Sequence, residues 1–291
     1  MKTLIFCAHP DDLEFSIPNL LIGLSQNRAL SEHEANQMKK YLFSSHSSYG
    51  NSEIQVYAMT KGEMSSFTDV IKSTRRAAEI RIKELQKSQT ILTGQIPYFL
   101  NFFDGYLKVN KEAIDLIEKI IEKHQPDIVL APELCLGYYH HPDHVATGTI
   151  VFYAVRRIRN KGKSKPILFF FQAISNDWYF PEFRLNKNRI KQALAAHKSQ
   201  QGILFAGSIL KWIESLIHGT HVPMFIRGEA LRWQPISGKI KKKSIQQRFK
   251  KMNIFKRMVY YFSKHFVDAH PVNYSVRYDN YFDGTIESNE Y

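Results

Sequence analysis

Two short stretches carry the residue types that could do chemistry. His9-Pro10-Asp11-Asp12 gathers one imidazole and two carboxylates, and His141-Pro142-Asp143-His144 gathers two imidazoles and one carboxylate. The chain has only 12 histidines, so two His-Pro-Asp clusters form a pattern. His9, Asp12 and His144 together supply two imidazoles and a carboxylate. Catalytic zinc commonly takes three protein ligands of this type and leaves one position for water. The pKa of that water falls to about 7, so hydroxide is available at neutral pH. Asp11 is then free to take the water's proton. His141 can face a substrate as an acid or an oxyanion partner, and Asp143 can hold that imidazole in its tautomer or raise its pKa. The reaction class is metal-assisted hydrolysis of an amide or ester. Ferrous iron or cobalt suits a similar ligand set, so the metal is Zn2+, Fe2+ or Co2+. The plain alternative is helix capping, the ordinary task of an Asp before a helix, with Pro142 opening the next helix.

The elements that must position these residues follow from the flanking patterns. Leu4–Ala8 and Ile128–Ala131 are apolar runs of the kind found in buried strands, and each precedes one cluster. Pro10 biases His9 toward extended backbone and so ends the first strand at a defined residue. Further strands are expected at Ile54–Met59, Thr90–Leu92 and Ile167–Phe171. Helices are expected at Pro18–Lys40, Val70–Lys87, Lys111–Lys123, Val145–Asn160, Lys187–Gln200 and Ile203–Ile217, with Ala77, Ile80 and Leu85 inward on the second. Tyr41–Ser52 reads as an exposed loop. Strands alternating with helices argue for an α/β fold, a mostly parallel sheet with helices on both faces. In such sheets ligands sit beyond the carboxyl ends of the strands, where the strand order reverses. If the first and fourth strands are neighbours, both clusters reach one crevice.

At these residues the chain resembles the PIG-L/LmbE-like family of zinc-dependent N-acetylglucosaminyl deacetylases. Ala8-His9-Pro10-Asp11-Asp12 with Glu14 resembles the family's opening motif, and His141-Pro142-Asp143-His144 its second. Thr60-Lys61-Gly62-Glu63, Arg75–Glu79, Asp104-Gly105, Ala196–Gln200 and Gly228–Arg232 resemble other family stretches more loosely. The likeness covers about residues 1–235, and residues 236–291 form a basic amphipathic extension with no counterpart. The resemblance implies a Rossmann-like fold, zinc on His9, Asp12 and His144, Asp11 as general base and His141 as oxyanion stabiliser or acid. It implies hydrolysis of an N-acyl group, usually acetyl, from a glucosamine-type sugar. It implies Arg76 as a clamp for a sugar hydroxyl or phosphate, and Asp104 as a site-facing residue. Tyr138 and Tyr139 stand just before the second cluster and can flank a sugar ring. Where the family often continues the first motif with a glycine-rich turn, this chain has Phe15-Ser16-Ile17-Pro18.

The bulk composition bounds these readings. A chain of 291 residues with 44% hydrophobic residues can bury a full core. Two cysteines cannot build a disulfide framework, and Cys7 and Cys135 read as inert buried thiols. The N-terminus lacks the pattern of a signal peptide, and no stretch reaches the roughly 18 to 20 apolar residues of a spanning helix. The expectation is a cytoplasmic protein, soluble or peripheral at a membrane. The net charge of +13 is concentrated, with ten Lys or Arg and no acid between Gly238 and Phe266. Ile245, Phe249, Met252, Phe255, Val259, Phe262 and Phe266 recur there at helical steps. That stripe suits a helix docked on the main domain, or an interfacial helix on anionic lipid. In the second case the amino sugar is lipid-linked or nucleotide-linked. No recognised nucleic-acid-binding fold accompanies the charge. Two other functions fit the same residues. One is a metal-dependent hydrolase of another amide or ester. The other is a sugar- or lipid-binding module on the same fold, against which the complete ligand set and base argue.

Overall fold

The computed structural model describes residues 1–25, 53–64, 73–135, 137, 140–162, 166–174, 178–181, 186–200 and 228–234, then 247, 249–252, 254 and 256–261. The expected loop at Tyr41–Ser52, the expected helix at Ile203–Ile217, most of the expected helix beyond Ser25, and Tyr138 and Tyr139 lie outside the described residues.

The strands are β1 (Lys2–Cys7), β2 (Glu53–Thr60), β3 (Tyr98–Phe102), β4 (Ile128–Pro132), β5 (Ile167–Phe171), β6 (Trp178–Pro181) and β7 (Gly228–Gln234). The helices are α1 (Asp12–Ser16), α2 (Pro18–Ser25), α3 (Thr74–Thr93), α4 (Lys111–His124), α5 (Pro142–Asn160) and α6 (Lys187–Ala196), followed by a 3-10 turn at Lys198–Gln200. The described strands form one sheet in the order β3-β2-β1-β4-β5-β7-β6. The first five are parallel, while β7 runs antiparallel to both β5 and β6. The expected fold class is therefore the observed one, with an antiparallel pair added at one edge.

The period of two along a strand divides the core into halves. Leu4, Phe6, Val129, Ala131, Leu168 and Phe170 face α4 and α5. Ile5, Cys7, Leu130, Phe169 and Phe171 face α1, α2, α3 and α6. The central strands are buried on both faces, which is why β1, β4 and β5 read as continuous apolar runs. Ile114, Ile117 and Ile121 give α4 its buried stripe, each worth about 1.5 to 3 kcal/mol on burial. Asn110 caps that helix, its side chain accepting from the Ala113 N–H at 2.8 Å.

Two expectations fail. Thr90–Leu92 is not a strand but the last turn of α3, which continues to Gly94, a left-handed C-cap with φ 75°. The third strand is Tyr98–Phe102 instead. It lies at the sheet edge and is partly exposed along its length, so it lacks the apolar run that marks the inner strands.

The strand order runs outward from β1 to β2 and β3 on one side, and from β4 to β5 on the other. The reversal therefore falls between β1 and β4, which pair directly through Thr3–Ile128, Leu4–Val129 and Ile5–Leu130. One His-Pro-Asp cluster follows each of these strands. At the end of β1, the Ala8 carbonyl accepts from both the N–H and the hydroxyl of Thr60, at 3.0 and 2.9 Å. That contact fixes the point from which the first cluster departs.

Candidate metal centre

Asp11 stands in the N-cap position of α1 yet makes no capping bond. Its backbone has φ 146° and ψ −18°, a region that side-chain-bearing residues rarely adopt. The carboxylate is turned toward Arg81, with Oδ2 3.2 Å from Nη2. The same guanidinium donates to the Pro10 carbonyl at 2.8 Å and to the Gly62 carbonyl at 3.1 Å. Arg81 thus grips the backbone and the side chain of the turn. Gly62 leaves the room: a Cβ there would run into the guanidinium, and its φ of 69° suits glycine. Asp12 behaves differently. Its Oδ2 accepts from the N–H groups of Ala8 and His9 at 2.8 and 2.9 Å, which leaves Oδ1 for other work.

The second cluster opens α5. Pro142 takes the first turn, where its missing N–H costs nothing. His141 is the N-cap, and its Nδ1 accepts from the Asp143 N–H at 3.3 Å. A neutral His141 therefore carries its proton on Nε2. Asp143 does not hold the His141 ring by a carboxylate bond, as the sequence suggested. Its carboxylate accepts from the N–H groups of Gly105 (2.7 Å) and Leu107 (3.3 Å) and faces His9 Nε2 at 3.3 Å. The cap geometry explains the difference, since two positions at a helix start, about 200° of rotation, send residues 141 and 143 to different sides.

The two clusters meet. His9 Nδ1 is 3.1 Å from His144 Nε2, Asp12 Oδ1 is 3.0 Å from His144 Nε2, and His9 Nδ1 is 3.8 Å from Asp12 Oδ1. Ligands about 2.0 to 2.1 Å from a tetrahedral zinc stand about 3.3 Å apart, so this triangle has the size of one face of such a site. The other ring nitrogens are already engaged. His9 Nε2 lies 3.0 Å from Asp104 Oδ1, and His144 Nδ1 lies 2.8 Å from Gln172 Oε1. These acceptors fix both tautomers, as carboxylates and amides behind metal-bound histidines do. The two facing nitrogens stand 3.1 Å apart, close enough to share one cation. His9, His141 and His144 also offer ligand atoms within 4.8 Å of one another, as do His9, Asp104 and Asp143. The set with Asp12 is favoured because Asp104 and Asp143 already serve as acceptors behind His9.

The electrostatics point the same way. Asp11, Asp12, Asp104 and Asp143 are all buried, and Arg81 is the buried guanidinium among them. Burial pushes the His9 pKa down, but Asp104, with Asp12 and Asp143, outweighs it and holds the imidazole well above its usual range. The carboxylates thus call for positive charge at His9. Burial pushes Asp12 up, but His144 and His9 hold it well below the usual carboxylate range, and His9 does the same for Asp104. Burial raises Asp11 despite the Arg81 charge. Burial, then His9 and His144, press His141 well below its usual value, and a cation would press it further.

Of the residues expected to bind substrate, Asp104 is at the centre, but it is buried against His9. Arg76 lies exposed on the first turn of α3, where its N–H is capped by Ser73 Oγ. Arg81, on the same helix, is the arginine at the site. The inner face of α3 carries Ala77, Arg81, Glu84, Leu85, Ser88, Gln89 and Leu92, so its signal was polar groups at core positions. Ser88 Oγ and Gln89 Nε2 donate to the Glu14 carboxylate, the second at 2.8 Å, and His197 Nε2 lies 3.6 Å from it. Glu84 accepts from the N–H and hydroxyl of Ser199. The loosely matched stretch Ala196–Gln200 therefore braces α1 and α3 from behind. Gln172 also escaped notice, although a lone polar residue directly after β5 was the available sign. Cys7 and Cys135 are buried free thiols, and burial pushes Cys7 well up.

A family model described as PIG-L, GlcNAc-PI de-N-acetylase, matches residues 40–155, a stretch that holds the second cluster and begins after the first. The diacetylchitobiose deacetylase of Thermococcus kodakarensis is 35% identical over 97 residues, which are 33% of this chain and 36% of that protein. The match thus spans about a third of the curated relative's length. Among solved structures, the N,N'-diacetylchitobiose deacetylase of Pyrococcus horikoshii superposes with a TM-score of 0.62 at 22% identity, covering 81% of this chain and 84% of its own. The 4-carboxy-2-hydroxymuconate hydratase of Pseudomonas putida follows at 0.58 and 14%, covering 83% of this chain and 100% of its own. At such identities the likeness is one of fold. A family match through the second cluster and the fold of a deacetylase around both make the chain similar to the PIG-L deacetylases.

Proposed function

We propose that this chain is a metal-dependent N-deacetylase that removes an acyl group, acetyl first of all, from an N-acetylglucosamine-type amino sugar or its conjugate. One observation carries the reading. His9 Nδ1, His144 Nε2 and Asp12 Oδ1 converge within 3.8 Å of one another, next to a second carboxylate, Asp11, that pairs with Arg81 instead. His9, Asp12 and His144 would hold the ion, Zn2+ first, with Fe2+ or Co2+ as substitutes. When bound, such an ion lowers the pKa of water and polarises an acyl carbonyl. Asp11 takes the proton from the attacking water and returns it to the departing amine. Arg81 keeps that carboxylate in place. His141, neutral and protonated on Nε2, donates to the acyl oxygen as negative charge gathers there. Asp104 holds the His9 ring from behind, and Asp143 ties the 105–107 backbone to the same ring.

The family description and the substrate named for the Thermococcus relative support the amino sugar. The fold alone would not, since a hydratase shares it. Elemental analysis paired with acetate release from N-acetylglucosamine and its disaccharide tests the proposal. About one divalent ion per chain and release of acetate are expected. Asp11→Asn should keep the ion and lose about 10²- to 10⁴-fold in turnover. Full turnover in that variant would remove Asp11 as the base. A protein with no affinity for divalent metals would sink the whole reading.

A second feature favours a membrane-surface setting. Among the described residues no helix is long and apolar enough to cross a membrane. In the C-terminal segment, however, Ile254, Met258 and Tyr261 are 78%, 62% and 52% exposed at helical steps, with exposed Lys250 and Lys251 nearby. An apolar strip flanked by lysines suits anionic headgroups, and with them an anionic, lipid-linked or nucleotide-linked sugar. Co-sedimentation with anionic vesicles, lost in Ile254→Asp/Met258→Asp and absent with neutral vesicles, is the expected result. Equal binding by the variant would remove the idea.

A further inference from the structure

The turn after β3 sends its residues in opposite directions. The Tyr106 N–H donates to the Phe103 carbonyl at 3.1 Å, and Gly105 has φ 80°. This is a β-turn whose third residue needs positive φ, which glycine takes without strain. Inward, the Asp104 carboxylate meets His9 Nε2 at 3.0 Å and accepts from the Met64 N–H at 3.0 Å. The Gly105 and Leu107 N–H groups both go to Asp143. Outward, the first and fourth residues of the turn are two aromatics, brought together because a β-turn brings its ends together. Phe103 and Tyr106 are 48% and 58% exposed, with ring centroids 5.5 Å apart and planes at 58°.

Single exposed apolar side chains are ordinary, but a pair held at the edge of a reactive centre is a contact surface. The chemistry proposed above uses neither ring. Each is one or two residues from the carboxylate that touches His9. The turn is fixed at Asp104, Gly105 and Leu107, so the rings are presented with little freedom to lose on binding. A pyranose suits this surface. Its C–H face is apolar and packs on aromatic rings, while its hydroxyl edges need polar partners that the two rings leave free.

Resting on the deacetylase reading, we propose that Phe103 and Tyr106 form a platform at the rim of the metal centre for a second pyranose ring, the one joined to the sugar that loses its acetyl group. The substrate class is therefore an N-acetylated disaccharide or longer glycan.

Steady-state kinetics on N-acetylglucosamine and its disaccharide test this in wild type, Phe103→Ala, Tyr106→Ala and the double variant. The ratio of kcat/KM for disaccharide over monosaccharide should fall about tenfold in the double variant, chiefly through the disaccharide KM. Tyr106→Phe keeps the ring and should keep the ratio. Ile96→Ala, an exposed apolar residue outside the turn, serves as control and should keep it too. An unchanged ratio in the double variant overturns the platform. If the wild-type protein releases no acetate from either sugar, the deacetylase reading fails and the platform is judged by equilibrium binding of the disaccharide. Weaker binding by the double variant then supports it, and equal binding or none by the wild type overturns it.

Discussion

In the proposed reaction, Arg81 decides how well Asp11 can work as the base. It meets the carboxylate at 3.2 Å and both neighbouring carbonyls, and so holds a turn whose φ of 146° would relax without it. Arg81→Met should cut turnover about 10- to 100-fold, the usual cost of losing a group that orients a reactive side chain. The sign of the pH effect follows from charge. The proposed base, Asp11, acts deprotonated, so the rate should be lost as pH falls through its pKa. Burial raises that pKa and the guanidinium pulls it down. Removing the guanidinium moves the acid limb of the pH–rate profile to higher pH, and a limb that stays in place would show that Arg81 acts by packing alone. The sequence pointed to Arg76 instead. Five residues along a helix is a rotation of about 140°, so Arg76 and Arg81 face different ways. Apolar spacing picked out Ala77, Leu85 and Ile80, the last only partly buried, but passed over the polar residues at 81, 84, 88 and 89. A helix whose buried face is half polar gives a weak periodic signal, although that face is the one that builds the site.

Among the elements, α5 carries His144 and must lie close to β4 for the two clusters to meet. Gly148, one turn after His144, allows this approach, since a Cβ there would overlap the Pro132 carbonyl oxygen. Gly148→Ala should push α5 away from β4 and cost about 1 to 3 kcal/mol by overpacking, less a small gain in helix propensity. Because the shift also moves His144, metal affinity should fall with it. Denaturant midpoints and metal titration measure the two effects, and a variant with lowered stability but wild-type affinity would separate α5 packing from the site. The central strands and α4 were legible because burial on both faces, or one apolar stripe, leaves a clean pattern. The edge strand β3 was not, because its residues are neither all buried nor alternately so. Thr90–Leu92 imitated a strand because a β-branched pair flanks an apolar residue at the end of a long helix. Its capping glycine, Gly94, was the better clue.

At the scale of the molecule, the convergence of residues 9 and 144 was legible from topology: two clusters after two inner strands can meet only if the strand order reverses between them. Of the expected C-terminal stripe, Phe249, Met252 and Val259 are described, while Ile245, Phe255, Phe262 and Phe266 lie outside the described residues. Phe249 and Val259 pack on the core that Met252 and Tyr260 join, the one that also holds buried residues of α4 and α5. What periodicity could not give was the destination of Tyr260. Its ring meets the His140 ring edge-on at 4.7 Å, and His140, 2% exposed, directly precedes the His141 N-cap. The C-terminal segment therefore packs on His140, the residue before the second cluster, while Ile254 and Met258 stay exposed. Tyr260→Ala should cost about 3 kcal/mol, the scale of losing a buried aromatic ring. It should also lower kcat, since the His140–His141 backbone loses its backing, whereas Tyr260→Phe keeps the ring and should keep both. Thermal melts and single-turnover kinetics on the three proteins measure this. If Tyr260→Ala melts earlier but reacts at the wild-type rate at low temperature, the segment is a packing element with no hold on the site. If the rate falls with stability and Phe restores it, residues far beyond the second cluster help to aim His141.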